Sequence, residues 1–231
     1  MTTTTLNGAS VLLLGATGGL GRALGEELAA RGAALTLVGR DQQRLDQLTT
    51  AGPRVALDLR SPDACATAMR TVVEHHGKLD VVINAVGVVA FGDVATLSTD
   101  VMEDLFMTNT FIPIMIATEA MNTLSTGGVI VNISGVIAEQ NLPGMVAYGA
   151  SKAALRAFDE GLAREARRKG VRVIDARPPH TETGLAGRAI GGTAPKMGDG
   201  LEPAVVASVI CDGIESGATD LGSGAFAVSG N

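Results

Sequence analysis

The sequence predicts an α/β fold, in which parallel strands alternate with helices in one doubly wound domain. Short apolar runs alternate along the chain with longer segments of helical periodicity. The runs are nearly continuous in Val, Leu and Ile, which is typical of parallel strands that are covered by helices on both faces. No linker, repeat or charge run divides the 231 residues. We therefore expect a single domain over 1–231 with a seven-stranded, mostly parallel sheet.

The predicted elements follow the order that right-handed βαβ units require. The strands are predicted at 9–14, 34–38, 54–57, 79–83, 128–133, 171–176 and 225–228. The helices are predicted at 20–31, 41–50, 62–76, 99–124, 146–169 and 203–216, with a bend in the fourth near Pro113. Residues 181–200 are rich in Gly and Thr, and we expect them to form a short loop over the substrate.

Composition and charge exclude several classes of protein. Hydrophobic residues make up 46% and charged residues 18%, which is a globular and not a disordered composition. The net charge of −6 provides no basic excess for nucleic acid. Cys65 and Cys211 cannot form a disulfide framework and have no metal-ligand spacing, so we expect no metal and a reducing compartment. The chain shows no signal peptide and no apolar run near the ~20 residues of a membrane span, so we expect a cytoplasmic protein that does not bind membranes.

A glycine-rich turn joins the first strand to the first helix. Its residues are Gly15, Thr17, Gly18, Gly19, Leu20 and Gly21. The backbone N–H groups at a helix N-terminus favour an anion, and residues without side chains let a pyrophosphate approach them. The context of strand, turn and helix favours dinucleotide binding over a plain tight turn.

The cofactor preference is predicted from the end of the second strand. About 20 residues after a dinucleotide-binding turn, an acidic residue would bind a ribose 2′-hydroxyl. This chain has Gly39 and Arg40 there, and Arg can pair with a 2′-phosphate. NADP(H) is therefore preferred, with NAD(H) possible. The alternative interpretation of Arg40 is an exposed side chain without a ligand.

Four further segments follow the turn in the chain. Asp58-Leu59 ends the third strand, Asn84-Ala85-Val86-Gly87 follows the fourth, Asn109 lies in a helix, and Tyr148 precedes Lys152 by four residues. Together with the turn, these segments resemble the short-chain dehydrogenase/reductase family over nearly the whole chain. The turn also fits the GxxGxxG spacing of extended relatives, but those chains are longer, and the classical short form fits better.

The resemblance implies roles for these residues and a strand order of 3-2-1-4-5-6-7. Asp58 and Leu59 would contact adenine, and Asn84, Ala85 and Gly87 would border the cofactor. Asn109 would hold a water near the catalytic Lys. Homodimers or homotetramers are implied, built on the helices at 99–124 and 146–169.

The chemistry of Tyr148 and Lys152 follows from their spacing. Residues four apart lie on one face of a helix. A free Tyr has a pKa of about 10, and a nearby ammonium together with a nicotinamide ribose would lower it. Tyr148 would then give a proton to a carbonyl oxygen as hydride arrives, or remove one from an alcohol. The alternative is an incidental pair on a surface helix.

The sequence departs from the family at two places. The family has a Ser thirteen residues before the Tyr, where this chain has Gly135; Ser134 is adjacent and could replace it only if the backbone turns there. After the sixth strand, Pro178-Pro179 replaces the family's Pro-Gly. Pro178, Thr181 and Thr183 are still expected to border the nicotinamide or the phosphates. His180 is either a polar group on the substrate side or a solvated loop residue.

Two functions follow from these observations. The first is an NADP-dependent oxidoreductase that transfers hydride between nicotinamide and a carbonyl/alcohol of a small or medium apolar molecule. The second is a nucleotide-binding protein of this fold with little or no catalysis, either a sensor or a partner subunit. Gly135 favours the second, whereas Tyr148, Lys152 and Asn109 favour the first.

Overall fold

Six parallel strands form the centre of the molecule in the computed structural model, which describes residues 3–227. They are β1 (Ser10–Leu14), β2 (Ala34–Gly39), β3 (Arg54–Ala56), β4 (Val81–Asn84), β5 (Val129–Ile133) and β6 (Arg172–Ala176). The order is β3-β2-β1-β4-β5-β6, and all neighbouring strands are parallel. This is a Rossmann-type sheet, so the predicted fold class is confirmed.

Seven α-helices are found in the described residues. They are α1 (Gly19–Ala30), α2 (Gln42–Asp46), α3 (Pro62–His76), α4 (Thr99–Phe106), α5 (Ile112–Thr123), α6 (Val146–Ala166) and α7 (Pro203–Ser216). The second is shorter than predicted, and the last has the predicted bounds. Across residues 3–227, no helix combines the length and apolar character needed to cross a bilayer.

The core consists of two apolar layers, one on each face of the sheet. Alternate residues of a strand point to opposite faces. Leu13 of β1 therefore packs with Leu24 of α1 and Ile210 of α7, whereas Leu12 packs with Met69 of α3 and Ile116 of α5. All five residues of β1 are buried, as expected for a strand that is covered on both faces.

The predicted helix over 99–124 is interrupted by a π-helical segment, Met107–Phe111, between α4 and α5. In it the N–H of Ile112 donates to the carbonyl of Met107, five residues back. Pro113 follows directly and has no N–H to donate, which disrupts regular α-helical bonding at this point. The helix predicted over 99–124 is therefore irregular near Pro113, and the π-helical segment ends two residues before the proline.

The prediction of a seventh strand over 225–228 is wrong for the residues that the structure describes. Ser223–Phe226 form a 3-10 helix, and Val228 lies outside the described residues. Pairing with β6 is limited to one parallel bridge between Leu221 and Ala176. The N–H of Ala225 donates to the carbonyl of Gly222 instead of to a strand.

Candidate active site

A cavity of about 310 Å³ lies at the carboxyl ends of the central strands and at the N-terminus of α1. In doubly wound folds the ligand binds at this edge of the sheet. The residues that form its walls come from the turn before α1 (18–21), the segment after β4 (85–91), the loop after β5 (133–145), α6 (148 and 152) and the segment after β6 (178–197).

The glycine turn is packed too closely for side chains. Gly15 has a φ of +78°, and a Cβ there would come within 2.8 Å of the backbone of Ala85. A Cβ on Gly21 would overlap the carbonyl oxygen of Gly15. The turn is closed by a 3.0 Å hydrogen bond from the N–H of Gly18 to the carbonyl of Gly15. Gly18, Gly19, Leu20 and Gly21 border the cavity, whereas Gly15 and Thr17 lie behind it as supports.

A group of arginines lies at the end of β2, beside the turn. The carbonyl of Thr17 accepts from Arg44 Nη2 at 2.8 Å and from Arg22 Nε at 3.4 Å. Arg40 is exposed at the end of β2. A Cβ on Gly39 would come within 3.1 Å of the Thr17 methyl group, so the strand end and the turn are in close contact. The sequence prediction identified only Arg40; Arg22 and Arg44, which both contact the turn through the carbonyl of Thr17, were not predicted.

Asp58 and Leu59 point in different directions. Asp58 is exposed past the end of β3, and its Oδ1 accepts from the N–H of Arg60 at 3.2 Å. The Leu59 side chain is 4% exposed and belongs to the core layer on the α3 side. Of these two residues, only Asp58 therefore has its side chain at the surface, beside the end of β2.

The ends of β4 and β5 are joined to α6 by buried polar side chains. Asn84 Nδ2 donates to Asn132 Oδ1 at 3.3 Å, and Asn132 Nδ2 donates to Asp159 Oδ1 at 2.7 Å. Asn84 Oδ1 also accepts from the N–H of Val86, which fixes the start of the segment that carries Ala85 and Gly87 into the cavity wall. Asn132 and Asp159 were not predicted as site residues.

Asn109 connects the π-helical segment to both sides of the site. Its side chain is fully buried and bonds Val88 twice, accepting from the N–H at 3.0 Å and donating to the carbonyl at 2.9 Å. It also donates to the hydroxyl of Ser151, which precedes Lys152. Asn109 thereby fixes the segment after β4 against α6, and it lies behind the cavity wall rather than in it.

Tyr148 and Lys152 both border the cavity from one face of α6. Lys152 is 6% exposed, and its Nζ donates to the carbonyl of Ile133 at 2.7 Å. Burial lowers the pKa of Lys152 to about 8, while the carboxylates of Asp175 and Asp159 oppose the shift.

Burial raises the pKa of Tyr148 to about 12. The sequence-based expectation of a lowered pKa concerns the site with a nicotinamide ribose beside Lys152, and it stays a prediction. The physical reason for the raised pKa is desolvation: the low-dielectric surroundings disfavour the phenolate, and the Lys152 ammonium is directed to the carbonyl of Ile133. The phenol is therefore held neutral, which is the form that donates a proton.

Neither residue at the position of the family's Ser offers a free hydroxyl. The Ser134 side chain is 1% exposed and donates to Asp175 Oδ1 at 2.5 Å. Gly135 has φ +81° and ψ 161°, and a Cβ there would meet only the carbonyl oxygen of Pro178, at 3.8 Å. The sequence left open whether Ser134 replaces the missing hydroxyl; in this structure its hydroxyl is occupied by Asp175.

An ionic cluster around Arg177 holds the loop after β5 in place. Arg177 donates to Asp175 Oδ2 at 2.6 Å and to both oxygens of Asp220, and it forms an ion pair with Glu139. The Arg177 guanidinium lowers the pKa of Glu139. Glu139 in turn accepts from the hydroxyl of Ser223 at 2.9 Å. The cluster joins β6 to the loop after β5 and to the chain after α7.

The segment after β6 closes the remaining side of the cavity. Pro178, Thr181 and Thr183 all border it; that they contact the nicotinamide or the phosphates stays a prediction. The Thr181 hydroxyl donates to the carbonyl of Pro179 at 2.9 Å, and Thr181 pairs with Leu201 in an isolated parallel bridge. A Cβ on Gly19 would overlap the carbonyl of Thr183, so this segment lies directly on the glycine turn.

The outer part of the cavity is apolar. Its side chains come from the segments after β4, β5 and β6 and share a lack of polar atoms: Val89, Phe91, Ile137, Leu142, Met145, Leu185 and Met197. The sequence gave no signal for this set, because its members lie in loops without periodicity. His180 and Arg188 also border the cavity.

Comparisons with known proteins agree with this geometry. The model of the short chain dehydrogenase family matches residues 9–190. A dehydrogenase/reductase SDR family member 7B of Danio rerio is 30% identical over 203 residues, which are 81% of this chain and 66% of that protein. A 3beta-hydroxysteroid dehydrogenase of Mediterraneibacter gnavus is 30% identical over 188 residues, covering 78% of this chain and 68% of that protein.

Two solved structures extend the similarity to the whole fold. A dehydrogenase/reductase from Sinorhizobium meliloti 1021 superposes with a TM-score of 0.81 at 25% identity, covering 96% of this chain and 98% of that one. A short chain dehydrogenase from Burkholderia cenocepacia J2315 in complex with NADP has a TM-score of 0.82 at 25% identity, covering 97% and 100%.

The fold and the site define a nucleotide-binding oxidoreductase of the Rossmann type. The chain belongs to the short-chain dehydrogenase/reductase family. It spans 66% of the length of the Danio rerio relative.

Proposed function

We propose that the protein transfers hydride between NADP(H) and the carbonyl/alcohol pair of a small or medium apolar molecule. The observation that carries this proposal is that Tyr148 and Lys152 share one cavity with the glycine turn at 18–21. A proton donor and a dinucleotide cradle therefore border the same space. The cradle fits a pyrophosphate, because Gly15 and Gly21 leave no room for side chains that would cover the backbone.

Tyr148, Lys152 and Asn109 have separate roles in the proposed carbonyl reduction. When bound, NADPH supplies the hydride to the carbonyl carbon. Tyr148 donates the phenolic proton to the carbonyl oxygen, and in the reverse direction it takes that proton from an alcohol. Lys152 lies one helical turn further along α6, where its ammonium would hold the nicotinamide ribose and stabilise the phenolate that forms. Asn109 positions the helix that carries both side chains through Ser151.

The cofactor preference rests on the arginines at the end of β2. Arg40, with Arg22 and Arg44 nearby, supplies positive charge where a 2′-phosphate would lie, and Arg pairs bidentately with phosphate. Asp58 would contact the adenine. Ala85 and Gly87 would border the ribose side, and Pro178, Thr181 and Thr183 the nicotinamide. The Burkholderia cenocepacia relative was solved in complex with NADP, which supports the preference; NAD(H) is the alternative.

The substrate class rests on the lining of the outer cavity. Apolar side chains around a few polar groups are typical of sites for small apolar molecules. Met145 and Met197 are among these side chains, and Met adapts to irregular ligand shapes. We therefore place the apolar part of the substrate between the loop after β5 and the segment after β6.

The assembly is proposed to be a homodimer or homotetramer through α4, α5 and α6. Phe111, which joins α4 to α5, is 53% exposed, and Val146 at the start of α6 is 44% exposed. Ile112 and Ile116 of α5 are buried in the core, whereas Phe111 is exposed. The apolar residues of this region therefore face both the core and the surface of the molecule. Light scattering at micromolar concentration tests this proposal, and a monomer of 23.4 kDa would contradict it. A reducing, cytoplasmic location suits the two buried free thiols of Cys65 and Cys211.

NADPH consumption with a panel of ketones, quinones and aldehydes tests the function. Turnover of at least one apolar carbonyl compound is expected, and NADPH binding without turnover across the panel would contradict the proposal. That outcome would favour the second candidate, a nucleotide-binding sensor or partner subunit. The observation in favour of that candidate is that Gly135 has no hydroxyl and Ser134 donates its own to Asp175.

A further inference from the structure

We propose that Arg188 lies over the glycine turn at 18–21 and binds the pyrophosphate of NADP(H) through its guanidinium. The inference rests on the dinucleotide site of the proposed function, and it identifies a cofactor-binding side chain outside the glycine turn.

The fold of the segment after β6 brings Arg188 back toward residues 183–184. The chain bends at Thr183 and Gly184, and Gly184 has a φ of +69°, in the left-handed region that glycine tolerates best. Ala186–Arg188 then form a short 3-10 helix, in which the N–H of Arg188 donates to the carbonyl of Leu185 at 2.9 Å. This local fold places the Arg188 side chain beside the bend.

The Arg188 guanidinium lies next to the glycine turn. Its Nη2 donates to the carbonyl of Thr183 at 3.3 Å, and a Cβ built on Gly184 would lie 3.2 Å from its Nη1. A Cβ built on Gly19 would overlap the same carbonyl oxygen of Thr183. One carbonyl oxygen therefore contacts both the guanidinium and the turn, which brings the positive charge of Arg188 beside Gly19.

The glycine turn supplies the other donors of an anion site. Gly19, Leu20 and Gly21 begin α1, and their N–H groups have no backbone acceptor within the described residues. Unpaired N–H groups at a helix N-terminus favour an anion, and a pyrophosphate is the anion that a dinucleotide places there. The turn and Arg188 border the same cavity, so the N–H groups and the guanidinium have access to one ligand.

The charge of Arg188 is available for such a ligand. A guanidinium has five N–H donors, and the bond to Thr183 uses one of them. In the part of the chain that the structure describes, Arg188 forms no ion pair with an Asp or Glu. The described lining of the cavity also contains no carboxylate side chain, although the chain as a whole has a net charge of −6. The cavity wall therefore suits an anionic group beside Arg188.

The experiment measures dissociation constants by calorimetry for Arg188→Leu, Arg188→Lys and the wild-type chain. The ligands are NADPH and adenosine 2′-monophosphate, which carries the adenine and the 2′-phosphate but no pyrophosphate. Arg70→Leu is the matched control, because Arg70 is exposed on α3 and its guanidinium donates to the hydroxyl of Thr67, outside the cavity. Repeating the NADPH titrations at several NaCl concentrations separates an ionic contact from a packing role, since salt screens exposed charges.

We expect Arg188→Leu to raise the NADPH dissociation constant about tenfold, which is a modest loss for a charge-assisted bond because Arg188 is exposed. Arg188→Lys should raise it about threefold, because Lys keeps the charge but lacks the planar, bidentate group. Both variants should bind adenosine 2′-monophosphate as the wild-type chain does, and Arg70→Leu should match the wild-type chain with both ligands. NADPH binding to Arg188→Leu should also depend less on the NaCl concentration.

An unchanged NADPH dissociation constant in Arg188→Leu would overturn the inference; a raised KM for the carbonyl compound in that variant would then assign Arg188 to the substrate. Equal losses in the Leu and Lys variants, or the same salt dependence in Arg188→Leu and the wild-type chain, would also overturn it, because either result indicates a packing role. Failure of the wild-type chain to bind NADPH would overturn the dinucleotide site together with the inference. NADPH binding that depends on Arg188, without turnover of any carbonyl compound, would support the inference and contradict only the proposed hydride transfer.

Discussion

The hydroxyl of Ser134 donates a 2.5 Å hydrogen bond to Oδ1 of Asp175, and both side chains are almost completely buried. The second oxygen of Asp175 accepts from Arg177 at 2.6 Å. Ser134 is therefore the inner end of an ionic cluster that fixes the loop after β5 to β6. Its hydroxyl stabilises the loop, and Gly135, the next residue, borders the cavity without a side chain.

Ser134→Ala should lower the free energy of unfolding by about 1–3 kcal/mol, because a buried oxygen of Asp175 loses its partner. The turnover number should stay close to that of the wild-type chain. Ser10→Ala is the matched control: Ser10 is equally buried, but within the described residues its hydroxyl has no partner, so its removal should cost little. Urea denaturation and steady-state rates measure both effects. Loss of turnover with unchanged stability would show that the Ser134 hydroxyl serves the substrate instead.

Gly135→Ser should not increase the turnover number. At φ +81° and ψ 161°, a residue with a Cβ is strained by about 1–3 kcal/mol, although the space around that Cβ is open. Gly135→Ala carries the same strain without a hydroxyl, so the pair separates backbone strain from chemistry. Both variants should lose stability equally in denaturant titrations. A higher kcat for Gly135→Ser alone would show that the loop adapts and that only a donor was missing.

Asp159 should make the protein less stable as the pH rises from about 4 to about 8. Burial raises its pKa to about 8, against the opposing hydrogen bond from Asn132, and the like charge of Asp175 adds to the shift while Lys152 opposes it. The folded state keeps this proton up to about pH 8, whereas the unfolded state releases it near pH 4, so the unfolded state binds fewer protons across this range. The free energy of unfolding therefore falls with pH. Lys152, whose pKa is lowered to about 8, affects the pH dependence of the free energy of unfolding only above that pH.

Asp159→Asn should remove this slope in urea titrations between pH 5 and 8. Glu160→Gln is the control, because Glu160 is exposed and its ion pair with Arg156 at 3.4 Å lies at the surface. A slope in Asp159→Asn equal to that of the wild-type chain would contradict the assignment.

Arg40→Asp should weaken NADPH binding about tenfold or more, because a charge-assisted hydrogen bond to phosphate is lost and a repulsive charge is introduced. NADH affinity should stay the same or rise. Arg70→Asp, an equal charge change on the exposed side of α3, should leave both affinities unchanged. Calorimetry measures the dissociation constants of NADPH and NADH for the wild-type chain and both variants. Equal affinities of the wild-type chain for NADPH and NADH would exclude the proposed preference.

The sequence predicted the fold almost completely, because the strands are covered on both faces and carry continuous apolar runs. The predicted strand at 225–228 was wrong for the described residues: Phe226 is buried as a strand residue would be, but Ser223–Phe226 form a 3-10 helix. An interruption of the helix near Pro113 was predictable because proline has no N–H.

The site was predictable only where its residues are close in sequence. The glycine turn and the spacing of Tyr148 and Lys152 are local patterns. Asn132 and Asp159 are 27 residues apart, and Ser134 and Asp175 are 41 apart, so no local pattern connects them. The rise in the Tyr148 pKa depends on burial from several elements, which spacing along one helix does not report.

NADPH oxidation by Tyr148→Phe, measured with the best carbonyl substrate beside NADPH binding to the same variant, tests the central claim most directly. The ring of Phe fills the same space but has no proton to donate. Turnover should fall by at least about 10²–10⁴-fold while NADPH affinity stays within about twofold of the wild-type value. Full turnover in Tyr148→Phe would contradict the proposed chemistry, because the proton would then come from another group.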